Sequence, residues 1–191
     1  KTAILAGLLS GLLFGIATPF SKLLLTNLNS FQLAGLLYIG AGLAMVPAII
    51  KTGGQIQLLF KRNNLIRIIG IIFFGGLFGP LLLLFGLRAA NAASVSIWLN
   101  LELVATALLG VLVFKDNLDK FTWVGVFLTV CAGVITSFGE GVSGLASAFL
   151  ITGACICWRV DNHLTALTDG VTPQVVTFVK GIMAGTINFV I

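Results

Sequence analysis

Long apolar blocks alternate with short polar connections along this chain, and the blocks have the length of helices rather than the alternation of strands. A helix needs roughly 20 mostly apolar residues to cross a bilayer. Seven blocks reach or approach that length: residues 3–25, 31–50, 68–87, 92–114, 121–138, 147–169, and 175 onward. A transmembrane barrel would need short segments with apolar residues at every second position, and no block reads that way. The pattern predicts an all-α membrane protein built as a multi-span helical bundle.

Composition narrows this further. Hydrophobic residues make up 58% of the chain and charged residues 9%, and the mean hydropathy is +1.12. A soluble domain carries about 25% charged residues, so this chain lacks the polar surface that water requires. The net charge of +5 does not point to nucleic acid, because the basic residues are spread between apolar blocks. Lys51, Lys61, Arg62 and Arg67 surround one connection, and Lys115 and Lys120 lie two spans later on the same side. The intervening turns carry only Lys22 and Arg88, and Glu140 follows the fifth block. The positive-inside rule then predicts a cytoplasmic N-terminus in a multi-pass protein of the cell (plasma or inner) membrane. The first block is longer than the roughly 7–15 apolar residues of a signal peptide. The chain opens on Lys1, so its start is expected to lie upstream. Cys131, Cys155 and Cys157 all sit inside apolar blocks, implying neither a disulfide framework nor a metal site.

Several motifs have plain alternatives. Gly139-Glu-Gly-Val-Ser-Gly144 fits G-x-G-x-x-G, but a dinucleotide site needs a strand before it; between two apolar helices it predicts a flexible turn. Ser143 and His163 flank one continuous span, roughly 30 Å apart at 1.5 Å per residue, too far for a nucleophile and its base. Glycines four apart at Gly7/Gly11/Gly15, Gly75/Gly79 and Gly181/Gly185 predict close helix packing in lipid.

Ionisable residues inside spans are more informative, since a charge at a helix centre costs about 2.5–3.5 kcal/mol on insertion scales. Glu102 falls near the middle of the fourth block, with Asn100 close by and Trp98 one turn earlier. Asp161 lies inside the sixth block, with Trp158 and Asn162 four apart on one face. These six residues form the candidate substrate site, and His163 is a candidate proton relay. The alternative for Glu102, Asp161 and His163 is a structural hydrogen bond between helices. Arg159 is placed to neutralise Asp161. Lys22, Arg88 and Lys180 are read as span-end residues that snorkel to headgroups.

A shift of about 144 positions sets Phe14 against Trp158 and Gly15 against Arg159, a faint internal repeat. An odd number of spans before the repeat would invert its second copy. Leu87-Arg-Ala-Ala-Asn-Ala-Ala-Ser94, running into Leu99-Asn-Leu-Glu-Leu-Val-Ala-Thr-Ala-Leu-Leu109, resembles the EamA-like members of the drug/metabolite transporter superfamily. So do Phe114-Lys-Asp-Asn-Leu118, Trp123-Val-Gly125 with Ala132-Gly133, and Cys157-Trp-Arg-Val-Asp-Asn-His-Leu-Thr165. Leu103 stands where that family often has Pro, and Arg159 where it often has Gly.

The resemblance implies a five-helix repeat over residues 1–138 and the start of an inverted second repeat over residues 139–191. Family members usually have ten helices, so it also implies that the chain stops inside the seventh. The implied activity is secondary transport of a small organic metabolite or amino-acid-like compound by alternating access. No ATP-binding motif and no cofactor enter. The implied partners are a small-molecule substrate and the lipid bilayer, with a homodimer as a compatible assembly. A non-transporting membrane scaffold is the alternative, and an intramembrane enzyme comes third.

Overall fold

Each apolar block folds as helix, and short polar residues mark the ends. In the computed structural model, residues 2–52, 55–115 and 117–191 are described; Lys1 and Asp116 of the acidic turn lie outside the described residues. The elements in chain order are α1 (Thr2–Leu24), α2 (Ser30–Ala44), α3 (Val46–Thr52), a 3₁₀ turn (Gln55–Phe60) and α4 (Arg62–Gly70). A π-helical segment (Ile71–Phe78) follows, then α5 (Gly79–Ala89), α6 (Ala92–Trp98), α7 (Leu101–Phe114), α8 (Lys120–Gly139), α9 (Gly141–Ala166) and α10 (Pro173–Val190). No strand occurs among the described residues.

Among the described residues, five stretches are long and apolar enough to cross a membrane: Gly7–Leu24, Ser30–Lys51, Arg62–Ala89, Lys120–Gly139 and Gly141–Ala166. The fourth and seventh expected spans are helical but differ. Gln174, Lys180 and Asn188 dilute the apolarity of α10. The fourth breaks at Leu99 and Asn100, where the Asn100 side chain donates to the carbonyls of Ser96 (2.9 Å) and Ile97 (3.3 Å). The Asn100, Glu102 and Leu103 N–H groups donate only three residues back. An asparagine that competes for helix carbonyls tightens the chain locally, which a hydropathy profile cannot register.

The helix starts follow capping chemistry. Asn29 accepts from the Gln32 N–H at 2.7 Å while the Gln32 side chain accepts from the Asn29 N–H, a reciprocal capping box for α2. Asp119 accepts from the Thr122 N–H at 2.9 Å to cap α8. Inside the apolar spans, hydroxyls that cannot reach water bond the carbonyl four residues back, as at Thr129, Thr136, Thr152 and Thr186.

The chain forms two compact units. One comprises Lys1–Leu28 and Leu84–Thr152; the other comprises Asn29–Leu83 and Gly153–Ile191. In the first, α1 and α8 pack on α6, and α8 also packs on α7. Its helix ends are tied by polar side chains. Lys22 Nζ donates to the carbonyls of Leu87 (2.7 Å), Arg88 (3.1 Å) and Ala90 (3.0 Å), and Arg88 donates to the Leu28 carbonyl (3.2 Å). Lys22 thus closes orphan carbonyls at the C-terminus of α5, where the dipole favours positive charge, and Arg88 ties the turn between α1 and α2.

The expected flexible turn at residues 139–144 is tight. α9 already starts at Gly141, whose φ of +69° suits glycine. The Glu140 carboxylate accepts from Asn91 Nδ2 (2.8 Å) and Ser94 Oγ (2.5 Å).

In the second unit α10 packs on α2 and on the π segment. The core joins Leu59, Ile68, Ile71, Ile72, Val175, Val176 and Ala184. Glycines make the close approach: a Cβ at Gly181 would lie 2.7 Å from the Gly42 N, and one at Gly185 2.7 Å from the Ile39 N. At the Gly7/Gly11/Gly15 stripe, by contrast, an added Cβ would meet nothing within 4 Å among the described residues.

Two predictions follow from this packing and capping. Gly185→Val should destabilise the protein by about 1–3 kcal/mol through overpacking, while Gly11→Val should leave the unfolding temperature close to that of the parent. Glu140 lies outside the spans, and its carboxyl is held below the ordinary carboxylate value by Ser94 first, then Asn91, with Lys22 adding to the effect. A depressed folded pKa gives stability that is present above the ordinary value and is lost as pH falls through the folded one. Unfolding midpoints recorded from neutral to acid pH should therefore show a shallower acid decline for Glu140→Gln than for the parent; an unchanged decline would remove Glu140 from the acid response.

Candidate functional site

The second unit contains a break in its third span that begins with Pro80. Proline has no N–H, so the carbonyls four and five residues before it, those of Gly76 and Gly75, lose the donor a regular helix would supply. The ladder widens here: the Gly79 N–H donates to the Phe74 carbonyl five residues back, the spacing of a π-helix, which recurs at functional sites. In lipid an orphaned carbonyl must be satisfied from within the protein. Two side chains do so. The Tyr38 hydroxyl donates to the Gly75 carbonyl, and Asn188 Nδ2 donates to the Gly76 carbonyl at 3.0 Å. Asn188 is fully buried, and its Oδ1 has no hydrogen-bond partner among the described residues.

A buried ion pair sits directly on this break. Lys180 Nζ lies 2.6 Å from Asp161 Oδ2, with the aspartate side chain 5% exposed and the lysine side chain 19% exposed. Lys180 was read as a span-end residue, but it lies well inside α10, which starts at Pro173. Arg159 was the expected partner for Asp161. Residues two apart on a helix do not face each other, and Lys180 takes the place. Thr165 Oγ1, one turn along α9, lies 3.4 Å from Asp161 Oδ1.

Glycines make the contact possible. A Cβ at Gly75 would run into the Asp161 carboxylate, and one at Gly79 would come within 2.6 Å of Trp158 Nε1. The lysine stem passes Gly76, whose added Cβ would lie 3.3 Å from Lys180 Cγ. The Trp158 indole N–H in turn hydrogen-bonds the Tyr38 hydroxyl. Asn162 and His163 lie on the exposed side of α9. Sequence reasoning thus named Asp161 and Trp158 but missed Tyr38, Lys180 and Asn188. Pro80 in an apolar run, and the single tyrosine of the chain, were the available signals.

At the end of the same unit, Asn64 is buried and donates to the carbonyls of Leu58 (2.9 Å) and Asp169 (3.0 Å). Arg67 pairs with Asp169 at 2.9 Å. The basic connection and the turn after α9 therefore share one end of this unit.

In the first unit the break at Leu99 and Asn100 borders a cavity of about 400 Å³ lined by Phe14, Gly15, Thr18, Ser96, Leu99, Asn100, Glu102 and Leu103. Glu102 stands in the first turn of α7, where the helix dipole favours a carboxylate. Trp98 is fully buried and turns elsewhere: its Nε1 donates to the Gly133 carbonyl at 3.1 Å. It lines a separate, mostly apolar cavity of about 310 Å³ with Leu101, Gly133, Phe138 and Phe149 among its walls. Asn100 and Glu102 thus share a cavity that Trp98 does not line.

Residues 1–138 match the EamA-like transporter family. The chain is also 24% identical, over 195 aligned residues, to a protein of Methanothermobacter thermautotrophicus (strain Delta H) named "Uncharacterized transporter". That alignment takes in 93% of this chain and 56% of the relative, so the chain spans little more than half the relative's length. No solved structure matches it.

The ion pair makes a direct prediction. Asp161→Asn leaves the Lys180 ammonium buried without its counter-charge and should cost about 3–5 kcal/mol. Adding Lys180→Gln removes the stranded charge and should restore most of that loss. Chemical unfolding of the two variants checks this; equal losses in both would mean that the pair's charge is not what matters.

Proposed function

Because this chain belongs to the EamA-like transporter family, we propose that it works as a secondary transporter, moving a small organic metabolite or amino-acid-like compound by alternating access. The observation that carries the reading is the cavity at the break of the fourth helical run. It combines one carboxylate (Glu102), three neutral polar side chains (Asn100, Ser96, Thr18) and an aromatic wall (Phe14). Small-molecule sites are typically mostly apolar hollows with a few convergent polar groups. A carboxylate inside a membrane protein serves as the counter-charge for a cationic group or as a proton carrier.

On this reading Glu102 binds or exchanges charge, and Asn100 orients polar atoms of the substrate. Trp98 lines the separate apolar cavity of the first unit; within the second unit, this reading also assigns Trp158, Asp161 and Asn162 to substrate and His163 to proton relay. Inverted repeats supply the two-sided access.

Glu102→Gln tests the central role. The variant should insert and unfold like the parent, yet lose uptake into proteoliposomes or its dependence on pH. Parental uptake at every pH, or failure to fold, would return Glu102 to a structural role.

A further inference from the structure

We propose that Asp161 and Lys180 are the two halves of a binding site for a small zwitterion, held closed in this structure by binding to each other. The inference rests on the transport reading and names the charge class of the substrate. It starts from the cost of separating the pair. Both side chains are largely buried, 5% exposed for Asp161 and 19% for Lys180, so moving one away strands the other in a low-dielectric setting. A ligand with a single positive charge would satisfy Asp161 and abandon Lys180, and a single negative charge would do the reverse. Only a ligand carrying both charges a few ångströms apart replaces each partner one for one. Its ammonium takes the carboxylate of Asp161, and its carboxylate or sulfonate takes the ammonium of Lys180.

The surroundings suit that exchange. The pair sits on the Gly75–Gly76 backbone, where no side chain intervenes and Pro80 has removed the regular ladder. What holds that backbone is side-chain hydrogen bonding, from Tyr38 to the Gly75 carbonyl and from Asn188 to the Gly76 carbonyl. Such bonds can be remade singly without unravelling a helix. Trp158, hydrogen-bonded to Tyr38, gives the pair an aromatic neighbour that can cover the ligand's carbon frame.

Lys180 and Tyr38 thereby become specificity-determining residues. Lys180 excludes cations that bring no anionic group, because it occupies the site of an incoming ammonium until something else neutralises it. Tyr38 keeps the glycine backbone in place while the pair is apart.

The test uses the full-length protein, purified and reconstituted, with β-alanine, taurine and glycine betaine as zwitterions. Propylamine and propionate serve as single-charge controls and propionamide as the neutral one. At least one zwitterion should raise the unfolding temperature by several degrees and enter proteoliposomes, with little effect from the controls. Asp161→Asn/Lys180→Gln, which strands no charge, should lose the zwitterion shift. Should that variant fail to fold, Lys180→Arg keeps the charge while moving it, and should weaken zwitterion binding several-fold. The inference is overturned if a single-charge or neutral probe matches the zwitterions, if no zwitterion shifts the protein, or if the folded variants bind zwitterions as the parent does. Uptake of a control compound without any zwitterion would sink the zwitterion site and leave transport standing. Zwitterion stabilisation without uptake of any probe would keep the site and sink transport.

Discussion

The absence of water around a membrane-spanning backbone is the constraint on which this structure turns. A soluble protein can leave a carbonyl at a proline kink to the solvent; here each carbonyl needs a donor from the chain itself. Pro80 therefore draws in side chains from two other helices. Tyr38 of α2 and Asn188 of α10 both donate into the π segment, and the α2–α10 pair must come close enough to deliver them. That closeness depends on Gly181 and Gly185 facing α2 without a Cβ. One missing N–H thus connects the packing of three helices, and the buried ion pair is set against the same place.

The same constraint acts at the helix ends of the first unit. Lys22 spends its three ammonium protons on three carbonyls near the end of α5, and Arg88 serves the turn after α1. The charge balance of these turns is thus as much a matter of capping as of topology. Cations near helix C-termini satisfy orphan carbonyls and the dipole together. A count of positive charges by side therefore gives topology only after the capping cations are recognised.

The helical, membrane-spanning character of the chain was legible from apolar block length, and the family from short motifs, most of them within residues 1–138. The details that the sequence reading missed share a physical origin. Block length is a one-dimensional average, so it passed over Asn100, which breaks the fourth run by taking two carbonyls for its own side chain. It also put Lys180 near a span end, whereas Lys180 lies two turns into α10 and pairs with Asp161. Residues two apart on a helix do not face each other, which is the spacing of Arg159 and Asp161. Lys180, nineteen positions on, meets it through the fold. The partners of a mid-span charge are set by tertiary packing, which local periodicity does not encode.

The two breaks differ in what they can offer a ligand. The cavity beside Asn100 is roomy, and Glu102 is the acidic group among its lining residues. The break at Pro80 is packed, and its acidic group already holds a lysine. An open acidic hollow and a self-neutralised pair discriminate in opposite ways: the first by attraction, the second by the penalty of displacing only one partner. Attraction alone admits any cation that fits, since Coulomb energy is insensitive to the rest of the ligand. Displacement of a pair demands a second charge of the right sign at the right spacing.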